Sequence, residues 1–277
     1  MAGDVRLARR KALLRGLAVA GAAGSMRVPA QERRADVGRA TATSPPRFST
    51  MPSGAWLAPG ESTETIQRGS DALPSLAAWR HRALRGIAPN RFGIVDDGFA
   101  THVRVEVNGS ASALIARLPA GVQGESVRWR WRADGFPARA GLGMRETDDF
   151  AARLYLMFEL PDARLSWSDR LVLGSASLLQ GEPVPAATLV YLLHAGDAPS
   201  VPIASPFSDR VAMFVARGNA LPGRWYAETR NWRQDFERAF GARYPGPVPA
   251  PAAVAIGADG DQTGARFTSA LGDVIFE

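Results

Sequence analysis

Residues 127–133 read VRWRWRA, and the order of those seven letters decides the fold class. Val127, Trp129, Trp131 and Ala133 alternate one for one with Arg128, Arg130 and Arg132. A period of two belongs to a strand, whose successive side chains leave on opposite faces; at 3.6 residues per turn the same letters would mix arginine into every face. This segment therefore predicts a strand with one buried aromatic face and one charged face.

The pattern repeats on both sides of that stretch. DFAARLYLMFE (149–159) places Phe150, Ala152, Leu154, Leu156 and Phe158 on an expected buried face, with Asp149, Arg153, Tyr155 and Glu159 opposite. THVRVEV (101–107), SASALIARL (110–118), AATLVYLL (186–193), RVAMFVAR (210–217), AAVAIGA (252–258) and TSALGDVIF (268–276) are short runs of the same kind, and turn signals such as NGS and DDG separate the segments. About ten strands, with no internal repeat and no alternation of strand with helix, predict an all-β antiparallel sandwich or barrel.

One segment departs from that period. NWRQDFERAFG has Asn231 as a capping residue with Gln234 three positions on, then Trp232, Phe236 and Phe240 at spacing four, and Gly241 as the stop. It predicts a short amphipathic helix laid over an open end or edge of the sandwich. Near it, Glu228 with Arg230 and Asp209 with Arg210 are expected to form structural ion pairs.

The formal charge of +6 over 277 residues invites a nucleic-acid reading. Residues 1–30, however, hold six cations against Asp4, a net +5, which leaves +1 for the rest. A near-neutral body neutralises few phosphates, so no nucleic-acid partner is expected. The same thirty residues have a basic start, a modest apolar run over 13–24 and small residues ending at Ala30, the layout of a signal peptide. Arg9-Arg10 followed by Leu13 matches the core of a twin-arginine signal. The expectation is a periplasmic or secreted protein with no transmembrane anchor once the leader is removed. Residues 31–72, rich in Ser, Thr, Pro and Gly, read as a flexible linker or loosely docked arm, and 73–277 as the sandwich domain.

Catalytic signatures are mostly excluded. The chain has no cysteine and three histidines, and it lacks His-Glu-x-x-His, Gly-x-Ser-x-Gly and P-loop motifs. Glu146 and Asp148 stand where a sandwich glycosidase carries two carboxylates, but Phe150 takes the place of the third. A lyase-like set of Arg153, Tyr155 and an arginine from 128–132 lacks a carbonyl-polarising amide.

Two candidate sites remain. Arg130, Arg132, Asp149, Arg153 and Tyr155 are the candidate ligand-binding residues of a charged, partly aromatic sheet face. GADGDQTGARF (257–267) sets Asp259 and Asp261 two apart, as calcium loops do, but Ala270 stands where an EF-hand needs its bidentate carboxylate. Two readings stay open: a looser calcium site using Asp259, Asp261 and Asp273, or an ordinary loop in which aspartates cap backbone amides. The second is the commoner arrangement. Apart from calcium in the first reading, no cofactor is expected.

The succession VRWRWRAD, DDFAARLYLMFE, SPFSDRVAMFVARGNALPGRWYAETRNWRQDFERAFG, VAIGADGDQTG and LGDVIFE resembles the bacterial domain-of-unknown-function family numbered 3047, over roughly 73–277. The resemblance implies a jelly-roll sandwich of the galactose-binding or lectin-like kind and no particular chemistry. Where the family pattern reads Asp-Thr-Asp-Asn-Thr-Gly, this chain has Gly260 and Gln262. Taken together, the sequence predicts a non-catalytic exported module that binds a saccharide or other envelope component. A polysaccharide-degrading enzyme and a structural protein-interaction domain are the alternatives.

Overall fold

The computed structural model describes residues 44–63, 78–166, 169, 173 and 184–277. The expected leader, and the expected linker up to residue 43, lie outside them. Two sheets face each other. The first runs β1 (Trp56–Leu57), β3 (Arg91–Asp96), β4 (Thr101–Asn108), β13 (Arg266–Leu271), β6 (Ser126–Ala133) and β11 (Tyr226–Asn231), with β14 (Ile275–Phe276) also on β6. The second runs β2 (Arg80–Ala83), β5 (Ala111–Arg117), β12 (Ala253–Asp259), β7 (Ala152–Phe158), β8 (Ala187–Leu193), β10 (Val211–Arg217) and β9 (Ile203–Ala204). Among the described strands every pairing is antiparallel except β8 with β10. The expected antiparallel β-sandwich is what forms.

Alternation sends the predicted residues inward. Val127, Trp129, Trp131 and Ala133 of β6 share one core with Leu154, Leu156 and Phe158 of β7, Tyr191 of β8, and Val254 and Ile256 of β12. Trp129 stacks on Tyr191 across the gap between the sheets, centroids 5.2 Å apart, and meets Trp131 edge-on at 5.1 Å. Burial of each large ring is worth about 3 kcal/mol of transfer free energy, so this aromatic layer is a main source of sheet-to-sheet cohesion.

The single described α-helix, α1 (Trp232–Phe240), begins where predicted: Asn231 Oδ1 accepts the Gln234 amide at 2.9 Å, and Trp232, Phe236 and Phe240 are buried. Phe158 receives Phe236 at 4.8 Å and Trp232 at 6.1 Å, so the helix closes one end of the sandwich. Its fixing bolt is polar. Asp235 takes the Tyr191 hydroxyl at 2.9 Å and the Arg230 guanidinium at 2.9 and 2.6 Å. Gly241 ends the helix in right-handed backbone, not in a left-handed stop; a side chain there would meet the Glu237 carbonyl at 2.6 Å.

Three sequence expectations change. Residues 44–63 of the expected linker are docked: Phe48 is fully buried against Trp79 at 4.9 Å, Met51 and Leu57 join the core, and β1 pairs with β3. Their spacing shows no regular period because only Trp56–Leu57 pair as a strand, two residues being too few to show alternation. Phe150 turns to the outer side of the second sheet, since the chain enters β7 only at Ala152. The expected ion pairs re-partner as well. Glu228 holds Arg217, Arg230 holds Asp235, Asp209 holds Arg243, and Arg210 holds Asp169.

Candidate functional site

Because Trp129 of the first sheet and Leu154 of the second both point into the shared core, the arginines that alternate with them leave the sandwich in opposite directions. Arg130 and Arg132 stand on the outer face of the first sheet, Arg153 and Tyr155 on that of the second. The five candidate ligand-binding residues are therefore not one cluster. The lyase-like set of Arg153, Tyr155 and an arginine of β6 does not assemble.

On the second sheet, Asp149, Arg153 and Tyr155 are buried, at 0%, 4% and 8% exposure. The expected open charged face is covered, because Phe150, Tyr155, Met157, Val190, Leu192, Met213 and Val215 form a second apolar layer outside the sheet. Within it sits a polar knot. Arg153 donates through Nε to Asp259 Oδ1 at 2.9 Å and through Nη2 to Asp259 Oδ2 at 2.5 Å and the Asp148 carbonyl at 2.5 Å. Asp148 Oδ2 lies 3.3 Å from the same nitrogen. Burial works against the Arg153 charge, but the Asp148 and Asp259 carboxylates outweigh it and raise the guanidinium pKa.

The opening residues of GADGDQTG lie beside that knot. Asp149, Asp259 and Asp261 each bring a carboxylate oxygen within 4.8 Å of the others, whereas Asp273 is elsewhere, accepting from the Ser49 amide and hydroxyl at 3.0 and 2.5 Å. Asp273 thus leaves the candidate calcium set and Asp149 enters it. Two of the three carboxylates have donors, whereas Asp261 Oδ1 is buried with no hydrogen-bond partner among the described residues. Asp259 faces Arg153 and the Phe150 amide, and Asp149 accepts from the Gln262 and Thr263 amides and the Thr263 hydroxyl. The Arg153 guanidinium neutralises part of this charge through Asp148 and Asp259.

The outer face of the first sheet is open and carries residues that the sequence reading passed over. One row of partners crosses the sheet: Trp56 opposite Gly93, Gly93 opposite Arg104, Arg104 opposite Ala270, Ala270 opposite Arg132. Trp225, next to Tyr226, which pairs with Trp131, ends the row beside Arg132. Gly93 is required there, because a Cβ would sit 2.9 Å from the Trp56 ring that lies over it. Arg91 covers the Trp56 ring at 4.4 Å; Arg130 and Arg132 lie over Trp225 at 4.7 and 5.4 Å, and His102 meets it edge-on at 5.3 Å. Beside Arg130, a depression of about 460 Å³ is lined by Thr101, Arg128, Thr229, Asp273 and Ser49. Trp56 was hidden in the Pro- and Gly-rich segment, and Trp225 lay in the run RWYAET (224–229), expected as a strand, with nothing to mark its side chain out. Their register against Gly93 and Arg132 is the signal, and only pairing reveals it.

Comparison with known proteins follows the fold. The K2 cleaved adhesin domain of Lys-gingipain is similar at TM-score 0.30 and 11% identity, covering 71% of this chain and 87% of that one. The K3 cleaved adhesin domain of Lys-gingipain from Porphyromonas gingivalis w83 is similar at TM-score 0.30 and 14% identity, covering 77% and 95%. The enzymatically active domain of bacteriophage CBA120 tailspike protein 4 is similar at TM-score 0.32 and 10% identity, over 73% of this chain and only 19% of the tailspike chain. No curated protein matches the sequence. Residues 77–275 match the model of the family described as "Protein of unknown function (DUF3047)", and the chain belongs to that family.

Proposed function

We propose that this protein is a non-catalytic β-sandwich module that binds a saccharide of the cell envelope on the outer face of its first sheet. The observation that carries the reading is the cross-sheet row from Trp56 to Trp225. Six neighbouring strands at about 4.8 Å spacing separate the two rings by about 24 Å, the reach of a short oligosaccharide. A sugar ring would pack on Trp56 and Trp225 as the guanidinia lying over them, Arg91 on the first and Arg130 and Arg132 on the second, swing aside to meet its hydroxyls or carboxylates. Ala270 leaves a gap in the row between Arg104 and Arg132. The leader over 1–30 supports export to the periplasm or beyond, where such a ligand is met.

Affinity electrophoresis of the full chain through gels holding neutral or uronic-acid polysaccharides tests this. Retardation in at least one gel is expected, lost in Trp225→Ala and weakened in Arg130→Ala, with the melting temperature kept in both. Free migration in every gel overturns the reading, and disappearance of the embedded polymer along the lane would replace it with the enzyme alternative.

A further inference from the structure

We propose a second binding site, on the opposite outer face, for a small neutral molecule with an apolar body and one hydrogen-bond acceptor. The site is a cavity of about 120 Å³ above the second sheet. Its existence follows from the register. Tyr155 of β7 pairs with Val190 of β8, and Val190 with Met213 of β10, giving a floor of larger side chains; on the other side β12 turns Asp259 to this face and β5, beyond it, the small Ala111 and Ala113. The step down from Tyr155 to those small residues leaves a hollow. Phe207, packed with Leu84 and Ala111, forms the wall. Its segment is held in place: Arg145 donates to the Pro206 carbonyl at 2.5 Å while its guanidinium lies 5.0 Å from the Phe207 ring.

Size, polarity and charge narrow the ligand. An apolar cavity of about 150 Å³ takes benzene, so this one admits a single ring or a short acyl group. A free sugar would leave hydroxyls unpaired against Val190 and Met213, at a cost of about 1 to 3 kcal/mol each. An anion would meet Asp148 and Asp259, while the two guanidinia of the lining are already committed, Arg153 to those same carboxylates and Arg210 to Asp169 at 2.5 Å. What the site does offer is a donor. The Tyr155 hydroxyl makes no hydrogen bond to any described residue, and burial first, with the neighbouring carboxylates adding to it, raises its pKa and keeps the proton on it. A neutral carbonyl, ether or alcohol oxygen fits that donor.

Calorimetric titration of the full chain with acetophenone, and separately with benzoate, tests the site. Acetophenone is expected to bind and benzoate not to. Tyr155→Phe should weaken acetophenone binding roughly threefold to tenfold while leaving unfolding stability unchanged, because the lost hydroxyl has no partner among the described residues. Ala113→Phe, which fills the hollow, should abolish binding. Absence of heat with acetophenone up to its solubility overturns the proposal, as does equal affinity in either variant or equal binding of benzoate. Polysaccharide retardation should be the same in both variants and wild type, so failure here is distinguishable from failure of the saccharide reading.

Discussion

Asp149 and Thr263 are joined twice: one carboxylate oxygen of Asp149 takes both the amide and the hydroxyl of Thr263, at 2.7 and 2.6 Å. Residues 114 positions apart are thereby locked, and the loop after β12 is fastened to the entry of β7. Asp149→Ala strips that cap from two amides in a partly buried place. A loss of about 2 to 4 kcal/mol in urea-monitored unfolding is expected, with Asp149→Asn recovering part of it. A loss under about 1 kcal/mol would mean that the loop holds itself.

Arg153 pairs with Asp148 and Asp259 at the edge of the three-carboxylate cluster, and its replacement is informative for that reason. Arg153→Met leaves Asp148, Asp149, Asp259 and Asp261 close together with no cation among them. Destabilisation of about 3 to 5 kcal/mol is expected without calcium, and millimolar calcium should restore part of it, while the wild type should melt at the same temperature with calcium as with chelator. A wild-type melting temperature that rises with calcium would show that the guanidinium leaves the carboxylates underneutralised.

The pH dependence of stability carries the signature of Asp261. Burial first, and the Asp149 carboxylate second, raise its pKa from 3.8 to about 6. Between those values the folded state holds a proton that the unfolded state has released, so stability is highest at the acid end of the window and falls as pH rises through 6. The fall amounts to at most about 3 kcal/mol for a shift of this size. Asp261→Asn should flatten the slope and exceed wild-type stability at pH 8. An unchanged slope in Asp261→Asn would assign the effect to another group.

Phe48 tests the docked arm. Its ring is fully buried against Trp79, so Phe48→Ala should cost about 3 to 5 kcal/mol and open the arm to protease between residues 44 and 57. If the variant melts like wild type, the arm is an ornament on a sandwich that is complete without it.

How far the sequence could be read depended on whether a property was local. The faces of β6 followed from alternation alone, as did the helix from its cap and its aromatic spacing, because both are settled within about ten residues. Strand order is not local. Nothing in VRWRWRA or DFAARLYLMFE says that the two segments lie in different sheets, so Arg130 and Arg153 looked like neighbours and are not. The same limit hid the second apolar layer: Tyr155 is outward by period, yet buried, because Met213, Val215 and the segment around Phe207 come from elsewhere in the chain. The Asp259 loop was half legible. Its residues suggested carboxylates gathered at one point, but their charge partner, Arg153, lies 106 positions away.

Strands β12 and β13 are consecutive, yet each lies inside a sheet: β12 between β5 and β7, β13 between β4 and β6. Residues 253–271 are therefore the keystone of both layers. Until they emerge, the chain has four unclosed edges, with β5, β7, β4 and β6 each lacking a neighbour. A nascent chain halted before residue 253 holds two split sheets and no finished core, and both sheets close only with residues 253–271. A protein made this way has no partial version: a stop anywhere before residue 253 leaves both layers open, and the segments already made must be shielded until β12 and β13 arrive.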